Sequence, residues 1–357
     1  VQNGFAINNS SIVTAGYTAY PQHIQPAYIQ EFNLTTEYEL NNSTSFQVGY
    51  IGEVGHHLID YYNANQLTLP QAVAGAPGPF DSLVGPGNAL FTVESEAYSN
   101  YSAAQVTVRH RITRGFQATV NYTYSHSLTD SQGNYGGASV AGPTATQNGF
   151  DLAGDYGPSD QDIRHNLSAN GSYLLPFGKG QAFGGNVNRG LDLLVGGWTL
   201  SSTAIVYSGL PITIFGPFNA GTNSYGSLGG SRANQYRRLK IVNQGVAHWF
   251  GTDPSAVPCS GPDNGSCAYG PAAPFTYGSA GVGSQRAPGF EQIDSSLFKD
   301  FHITERQTIS FRVDGFNLFN FASYGNPDNN VNDTNFGQIT STRSGPRTIQ
   351  FAAHYSF

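Results

Sequence analysis

The sequence predicts an all-β protein: a closed antiparallel β-barrel of the outer-membrane type, with about ten to fourteen strands and long loops on one side. Three observations point there. Apolar and polar residues alternate with period two through many separate stretches. Short turns alternate with long connections rich in Gly and Pro. No stretch carries a convincing 3.6-residue apolar stripe, and no run of about eighteen apolar residues would make a membrane helix.

The stretch 347–357, R-T-I-Q-F-A-A-H-Y-S-F, shows the alternation best. Ile349, Phe351, Ala353, Tyr355 and Phe357 fall on one face, and Thr348, Gln350, Ala352, His354 and Ser356 on the other. In a membrane barrel the first face meets lipid and the second meets the lumen. A soluble protein would bury or fray such an aromatic end.

In chain order, residues 1–26 read as an extended amino-terminal arm, with strand-competent pieces Gly4–Ile7 and Ser11–Thr14 and prolines at Pro21 and Pro26. The barrel domain is expected over 27–357. Phe32, Leu34, Tyr38 and Leu40 oppose Glu31, Asn33, Glu37 and Glu39, and Asn41-Asn42 turns the chain into a strand with Phe46, Val48 and Tyr50 on one face. Residues 57–68 are a candidate third strand, and 69–95 a loop. Strand signals return at 97–112. A tight turn over 111–115 leads into the regular alternation of Phe116, Ala118, Val120, Tyr122 and Tyr124. A long polar loop spans about 127–161. A strand at 163–175, a turn at 175–180 and a strand from Trp198 past Pro211 into 212–215 follow. The region 216–288 is a very long loop with a candidate short strand at 238–243. The closing series is 290–303, 307–319, a candidate at 337–342, and 347–357. The shared alternation predicts an outward apolar set: Phe32, Leu34, Phe116, Val120, Tyr122, Leu167, Trp198, Leu200, Ile309, Phe311, Phe351 and Tyr355. A β-sandwich or propeller would also give many strands. No repeat of about 40–50 residues supports a propeller, and the unequal loops disfavour a sandwich.

Composition narrows the class. Charged residues are 11% and aromatics 13% of 357 residues, with 44 glycines, which fits neither a disordered acidic chain nor a linker. The mean hydropathy of -0.30 is compatible with a membrane barrel, because half of each strand faces water. A net charge of -7 with only three lysines argues against nucleic acid as a partner. The chain begins at Val1 and contains no Met, so a processed or truncated product is expected.

Cys259 and Cys267 lie in P-C-S-G-P-D-N-G-S-C. Paired, they would close a short loop worth roughly 2–3 kcal/mol and imply an oxidising compartment. A metal pair is the alternative, but two thiolates without His make a poor zinc site. No Walker loop, nucleophile elbow, H-E-x-x-H or EF-hand pattern is present. His56-His57 reads as a polar turn whose rings point apart. Asp151, Asp155, Asp160 and Asp162 offer carboxylates for Ca²⁺, or form a solvated loop with Asx turns. Asp162, Arg164 and His165 lack a converging Ser, so no enzyme activity, catalytic residue, metal or cofactor is expected. Loop tyrosines Tyr135, Tyr156, Tyr225 and Tyr236 are candidates for ligand or partner contact.

Several stretches resemble a known family. The ending looks like the assembly signal of outer-membrane barrels, with Tyr355 and Phe357 on the lipid-facing register. F-R-V-D-G-F-N-L-F-N-F-A-S-Y-G-N-P (311–327) resembles the C-terminal barrel of TonB-dependent transporters, and of the Oar-like group among them. Y-I-Q-E-F-N-L-T-T-E-Y-E-L (28–40), V-G-Y-I-G-E-V-G-H-H-L (48–58), N-Y-T-Y-S-H-S-L-T-D (121–130), D-I-R-H-N-L-S-A-N-G-S-Y-L-L-P-F-G (162–178) and G-G-W-T-L-S-S (196–202) are similar to that group in order. The resemblance implies a barrel in the outer membrane, or on the extracellular surface, of a Gram-negative-type bacterium. It implies uptake of a bulky nutrient such as a glycan, peptide or metal chelate. The family's signal, plug and TonB-contacting motif are not visible in this sequence. That departure gives a second expectation: a plugless barrel that assembles with copies of itself into a tube or fibre, through the arm and the 216–288 loop. The expected partners are membrane lipid or copies of the same chain.

Overall fold

The alternating stretches pair into one large sheet. The computed structural model describes residues 17–86, 88–131, 146–217 and 232–357. Its strands are β1 (Tyr17–Ala19), β2 (Tyr28–Asn41), β3 (Thr44–Asn63), β4 (Leu90–Thr113), β5 (Phe116–Thr129), β6 (Gly157–Pro158), β7 (His165–Leu174), β8 (Thr199–Tyr207), β9 (Pro211–Ile212), β10 (Asn234–Gln235), β11 (Tyr269–Gly270), β12 (Gln285–Arg286), β13 (Phe290–His302), β14 (Thr308–Phe316) and β15 (Thr348–Ser356). Nine of them form the antiparallel path β15-β14-β13-β8-β7-β5-β4-β3-β2, and β1 and β6 attach to β4 and β5 to complete eleven strands. Among the described residues, β2 and β15 each leave one edge without a strand partner.

Connections alternate between the two ends of this meander. The short turns Asn41–Thr44, Thr113–Phe116 and His302–Thr308 lie at one end of the sheet, together with the longer Leu174–Thr199 connection. The long ones, between Asn63 and Leu90, Thr129 and His165, Tyr207 and Phe290, and Phe316 and Thr348, lie at the other. The tightest turn works because Arg114 and Gly115 both take positive φ, 51° and 79°, which matches the twist of the flanking strands.

Register separates two faces. Phe116, Tyr173, Leu200, Leu297, Val313 and Phe351 stand opposite one another across six strands. One residue further along is Gln117, Ser172, Ser201, Ser296, Asp314 and Gln350, on the other face. A second apolar row runs Tyr38, Phe46, Val108, Val120, Ala169, Ala204 and Ile293. Ten of the twelve residues expected on the apolar face are exposed, Leu34 at 73% and Phe351 at 70%. Trp198 and Phe311 are half-buried because their rings pack edge to face, 6.1 Å apart. A sheet that leaves so much hydrocarbon open is built for an apolar solvent.

Besides Leu90, Phe91, Val93, Ala97 and Ala103 of β4, a hydrophobic core cluster sits outside this sheet. Ile214, Leu239, Phe250, Ala268, Tyr269 and Val331 bury one another, with Trp249 and Phe336 packed alongside. All belong to the two long connections after β8 and after β14. The loop end is therefore a folded crown rather than a set of loose segments.

Several local expectations change. The strand expected at 57–68 is the far half of β3, which continues through a bulge between Gly55 and Leu58. Residues 238–243 form no strand, 337–342 only the bridge Tyr324–Thr342, and over 212–215 the strand is reduced to β9, paired with β12, and single bridges from Phe215 to Arg232 and Asn330. Three short helices escape the periodicity test: α1 (Leu69–Val73), α2 (Asp81–Val84) and α3 (Arg189–Val195). Each has at most seven residues, too few to show an apolar stripe. Of the amino-terminal arm, Gly4–Ile7 and Ser11–Thr14 lie outside the described residues. Tyr17–Ala19 runs parallel to β4, opposite Leu90–Thr92.

Candidate functional site

Over β5, β7 and β8 the polar face of the sheet is mostly a wall of short neutral side chains. Thr107 donates to Asn121 at 3.0 Å, Asn121 to Ser168 at 3.4 Å, and Gln117 to Ser172 at 3.0 Å. On β13 and β14, Ser310 donates to Asp300 at 2.6 Å and Arg312 to Asp314 at 2.8 Å, while Ser296 also donates to Asp314. Cross-strand bonds of this kind fix the side chains while leaving hydroxyl and amide groups to meet a polar solute. Toward β2 the wall becomes acidic, since Glu31 stands opposite Glu53, and Glu37 and Glu39 share their face.

The crown stands at one end of this wall and is tied by two buried carboxylates. The Asp162 side chain is fully buried. Its carboxylate accepts from Arg286, from Arg164 Nε at 3.0 Å and from the Ser127 N–H at 2.7 Å, and lies 3.2 Å from His126 Nδ1. Burial alone would push this carboxyl up. The bonds from Arg286, Ser127 and His126 outweigh it and hold the group below the ordinary aspartate value. Asp155 plays the same part for Arg232, at 2.6 Å, and also accepts from Thr146 and from Gln147 N–H at 3.0 Å.

Amide side chains join what the ion pairs leave. Gln147 donates to Gly278 O at 3.1 Å and accepts from Arg232 N–H at 2.8 Å. Gln66 donates to Gln147 O at 2.9 Å and to Tyr277 at 3.2 Å. Asn329 donates to Thr213 O at 2.7 Å. All four long connections are thereby cross-linked. The packing is close: a Cβ on Gly278 would lie 1.7 Å from Arg232 O, so no other residue fits there.

The sequence-expected residues fall as follows. Cys259 and Cys267 are joined in a disulfide inside the crown. Arg237 donates to Asp263 at 2.7 and 2.8 Å beside it, and to the Cys267 carbonyl. The one cluster of possible metal ligands among the described residues is Cys259, Asp263 and Cys267, and its two sulfurs are already bonded to each other. Neither reading of the four aspartates holds for the pair that matters. Asp155 and Asp162 are buried against arginines, while Asp151 is exposed and Asp160 half-buried. The His56 and His57 rings do not point apart. His57 takes a φ of 54° at the β3 bulge, and both rings lie beside Tyr28, at 5.0 and 5.7 Å. His126, not His165, meets Asp162. The Arg164 guanidinium, a donor only, lies 3.2 Å from His126 Nε2 and occupies the nitrogen that a serine would need. Tyr355 and Phe357 stack at 5.8 Å at the short-turn end, with Tyr355 opposite Ile309. Tyr156 lies 6.1 Å from Tyr98, Tyr236 donates to Pro271 O at 3.5 Å, and Tyr135 and Tyr225 lie outside the described residues.

Sequence reasoning did not single out Arg232, Arg286, Gln147 or His126. The available signal was scarcity: with 16 Lys and Arg in the whole chain, an arginine inside a long Gly/Pro loop needs a reason to be there.

Comparison with known proteins agrees with this architecture. The chain is similar to the outer membrane transporter YddB from Escherichia coli, with a TM-score of 0.50 and 9% identity, over 96% of this chain and 34% of that one. It also aligns with the copper transporter OprC, at a TM-score of 0.39 and 9% identity over 94% of this chain and 32% of the other. The chain thus spans about a third of the length of these solved structures. No curated protein matches it in sequence. Residues 1–350 match the outer membrane beta barrel domain, so this chain belongs to that family and resides in the outer membrane.

Proposed function

We propose that this chain builds the wall of a closed transmembrane barrel of the transporter type, which passes a bulky polar solute along its polar face. The observation that carries the reading is the register. Apolar rows recur on one face of the sheet and mostly polar rows on the other, and a folded crown stands at one end. Aromatic spacing supports it. Tyr28 and Tyr38 share the apolar register of β2, ten residues apart. At about 3.4 Å per residue and a tilt of about 40°, they are roughly 26 Å apart along the membrane normal, close to the height of a barrel's apolar band. The neutral hydroxyl and amide groups that β5, β7 and β8 present suit a glycan or peptide better than a free ion. We assign the chain no catalytic role.

Closure would satisfy the open edges of β2 and β15, since no free edge persists in lipid. The same edges support the second reading, in which copies of the chain join into a tube. Reconstitution separates the two. Single heat-modifiable particles whose liposomes admit neutral oligosaccharides are expected. Sealed liposomes would overturn the transport reading, and tubes in negative stain would establish the second.

A further inference from the structure

The connection between β7 and β8 carries a feature that the wall does not need. α3 is seven residues long and buries none of them. Leu191, Leu193, Leu194 and Val195 are all exposed, Leu194 at 68%. A short amphipathic helix on a water-soluble protein would turn such residues onto the nearest apolar surface. That surface is adjacent, and it holds the helix by other atoms. Trp198 Nε1 donates to Leu194 O at 2.8 Å and Lys299 Nζ to Leu193 O at 2.6 Å. These are carbonyls of the last turn, which have no partner within the helix. Both donors belong to the apolar face: Lys299 stands opposite Phe311, and the Trp198 ring meets Phe311 edge on. The Lys299 ammonium lies 4.7 Å from the Phe301 ring and 5.9 Å from Trp198. The clamp thus uses polar main-chain atoms and leaves the leucines pointing away.

Charge tells the same story. The chain is acidic overall and has three lysines, yet Lys179 and Arg189 are both exposed on this connection and Lys299 lies beneath it. Phe177 and Phe183, also exposed, pair at 5.6 Å nearby. Leucines, aromatics and basic residues together, continuous with a lipid-facing wall, form the composition that binds the headgroup and acyl boundary of a bilayer.

We infer that residues 175–198 are a membrane foot, which seats α3 in the phospholipid headgroup layer of the leaflet at the short-turn end. The inference rests on the barrel reading above. Lys299 and Trp198 are its positioning residues, and the exposed leucines are its lipid contacts.

Two variants of the full chain test it, each with one free cysteine added beside the intact Cys259–Cys267 disulfide: Leu194→Cys on the foot and Phe351→Cys on the β15 wall. Each is labelled with an environment-sensitive dye and reconstituted in vesicles of phosphatidylethanolamine and phosphatidylglycerol. At the foot, the expected result is blue-shifted emission, quenched by lipids brominated near the headgroup and little affected by aqueous iodide. Quenching by iodide alone, with the Phe351 site still quenched by brominated lipid, would overturn the foot and leave the barrel standing. Iodide quenching at both sites would overturn the barrel reading itself. A foot shielded from both quenchers would mean that protein covers it, and the lipid assignment would fall. Lys299→Gln should loosen the foot and raise its iodide accessibility without moving the signal at Phe351.

Discussion

Arg286 holds Asp162 by two different groups at once. One guanidinium nitrogen donates to the carboxylate and the other to the Asp162 main-chain carbonyl, at 2.6 Å. The two residues are 124 positions apart, so this contact ties the connection after β5 to the end of the connection after β8. Arg286→Ala leaves a fully buried carboxylate short of its main partner. Removing one member of a buried pair costs about 3–5 kcal/mol. The expected outcome is rapid proteolysis within the long connections, while strand content by circular dichroism stays unchanged. Arg286→Lys should recover only part of the loss, because an ammonium cannot make both bonds in the same geometry.

The same site sets a pH dependence. The folded carboxyl of Asp162 lies below its ordinary value, so its contribution is fully present above the unfolded pKa of about 3.9. It is lost as pH falls through the lowered folded value. Crown protection should therefore be flat from neutral pH down to about pH 4 and fall below that. Asp162→Asn should weaken the crown at neutral pH and flatten the acid limb. An unchanged acid limb in that variant would assign the transition to other carboxylates.

Reducing the Cys259–Cys267 bond should act locally. The closed loop is short, with a separation of 8 residues, which corresponds to roughly 2–3 kcal/mol in a chain-entropy picture. Reductant should speed cleavage near 259–267 and spare the sheet. Mass measurement of unreduced native protein should find no free thiol.

What was legible in the sequence was local. The β2–β3 and β4–β5 hairpins, and the face each residue takes, follow from period-two alternation and from turn residues that act within a few positions. The far half of β3 was obscured because the bulge at His57 breaks that period. The crown was illegible for a different reason. Its order comes from contacts such as Gln66 with Tyr277, 211 residues apart, and Gln147 with Gly278, 131 apart. Such pairs leave no periodic trace, and a Gly/Pro-rich stretch reads as loose loop whether or not it packs. The four aspartates show the limit: their clustering was visible, but their arginine partners lay in other connections.

Tyr355 and Phe357 form a stacked pair on the apolar side of β15, and Phe357 is 92% exposed. Exposed rings on this register fit an assembly-factor contact or an aromatic girdle at the interface. Phe357→Ser should lower the yield of heat-modifiable protein in cells while leaving refolding into detergent almost unchanged, which would separate assembly from stability. Equal losses in both measurements would assign the pair a packing role only.

Adjacent residues on β15 give the sharpest test of the register. Phe351 stands in the apolar row with Val313, and Gln350 in the polar row with Asp314. If lipid meets the first row, Phe351→Arg places a cation in hydrocarbon, at a cost of about 2–4 kcal/mol near the bilayer midplane. Gln350→Arg places the same charge beside the Asp314 carboxylate in a polar setting, where it costs little. The two variants have the same net charge and differ by one position, so solubility and expression effects largely cancel. The expected result is a loss of folded, membrane-inserted protein for the first and near-normal insertion for the second. The opposite ranking would turn the sheet inside out, and equal insertion would mean that neither face meets lipid.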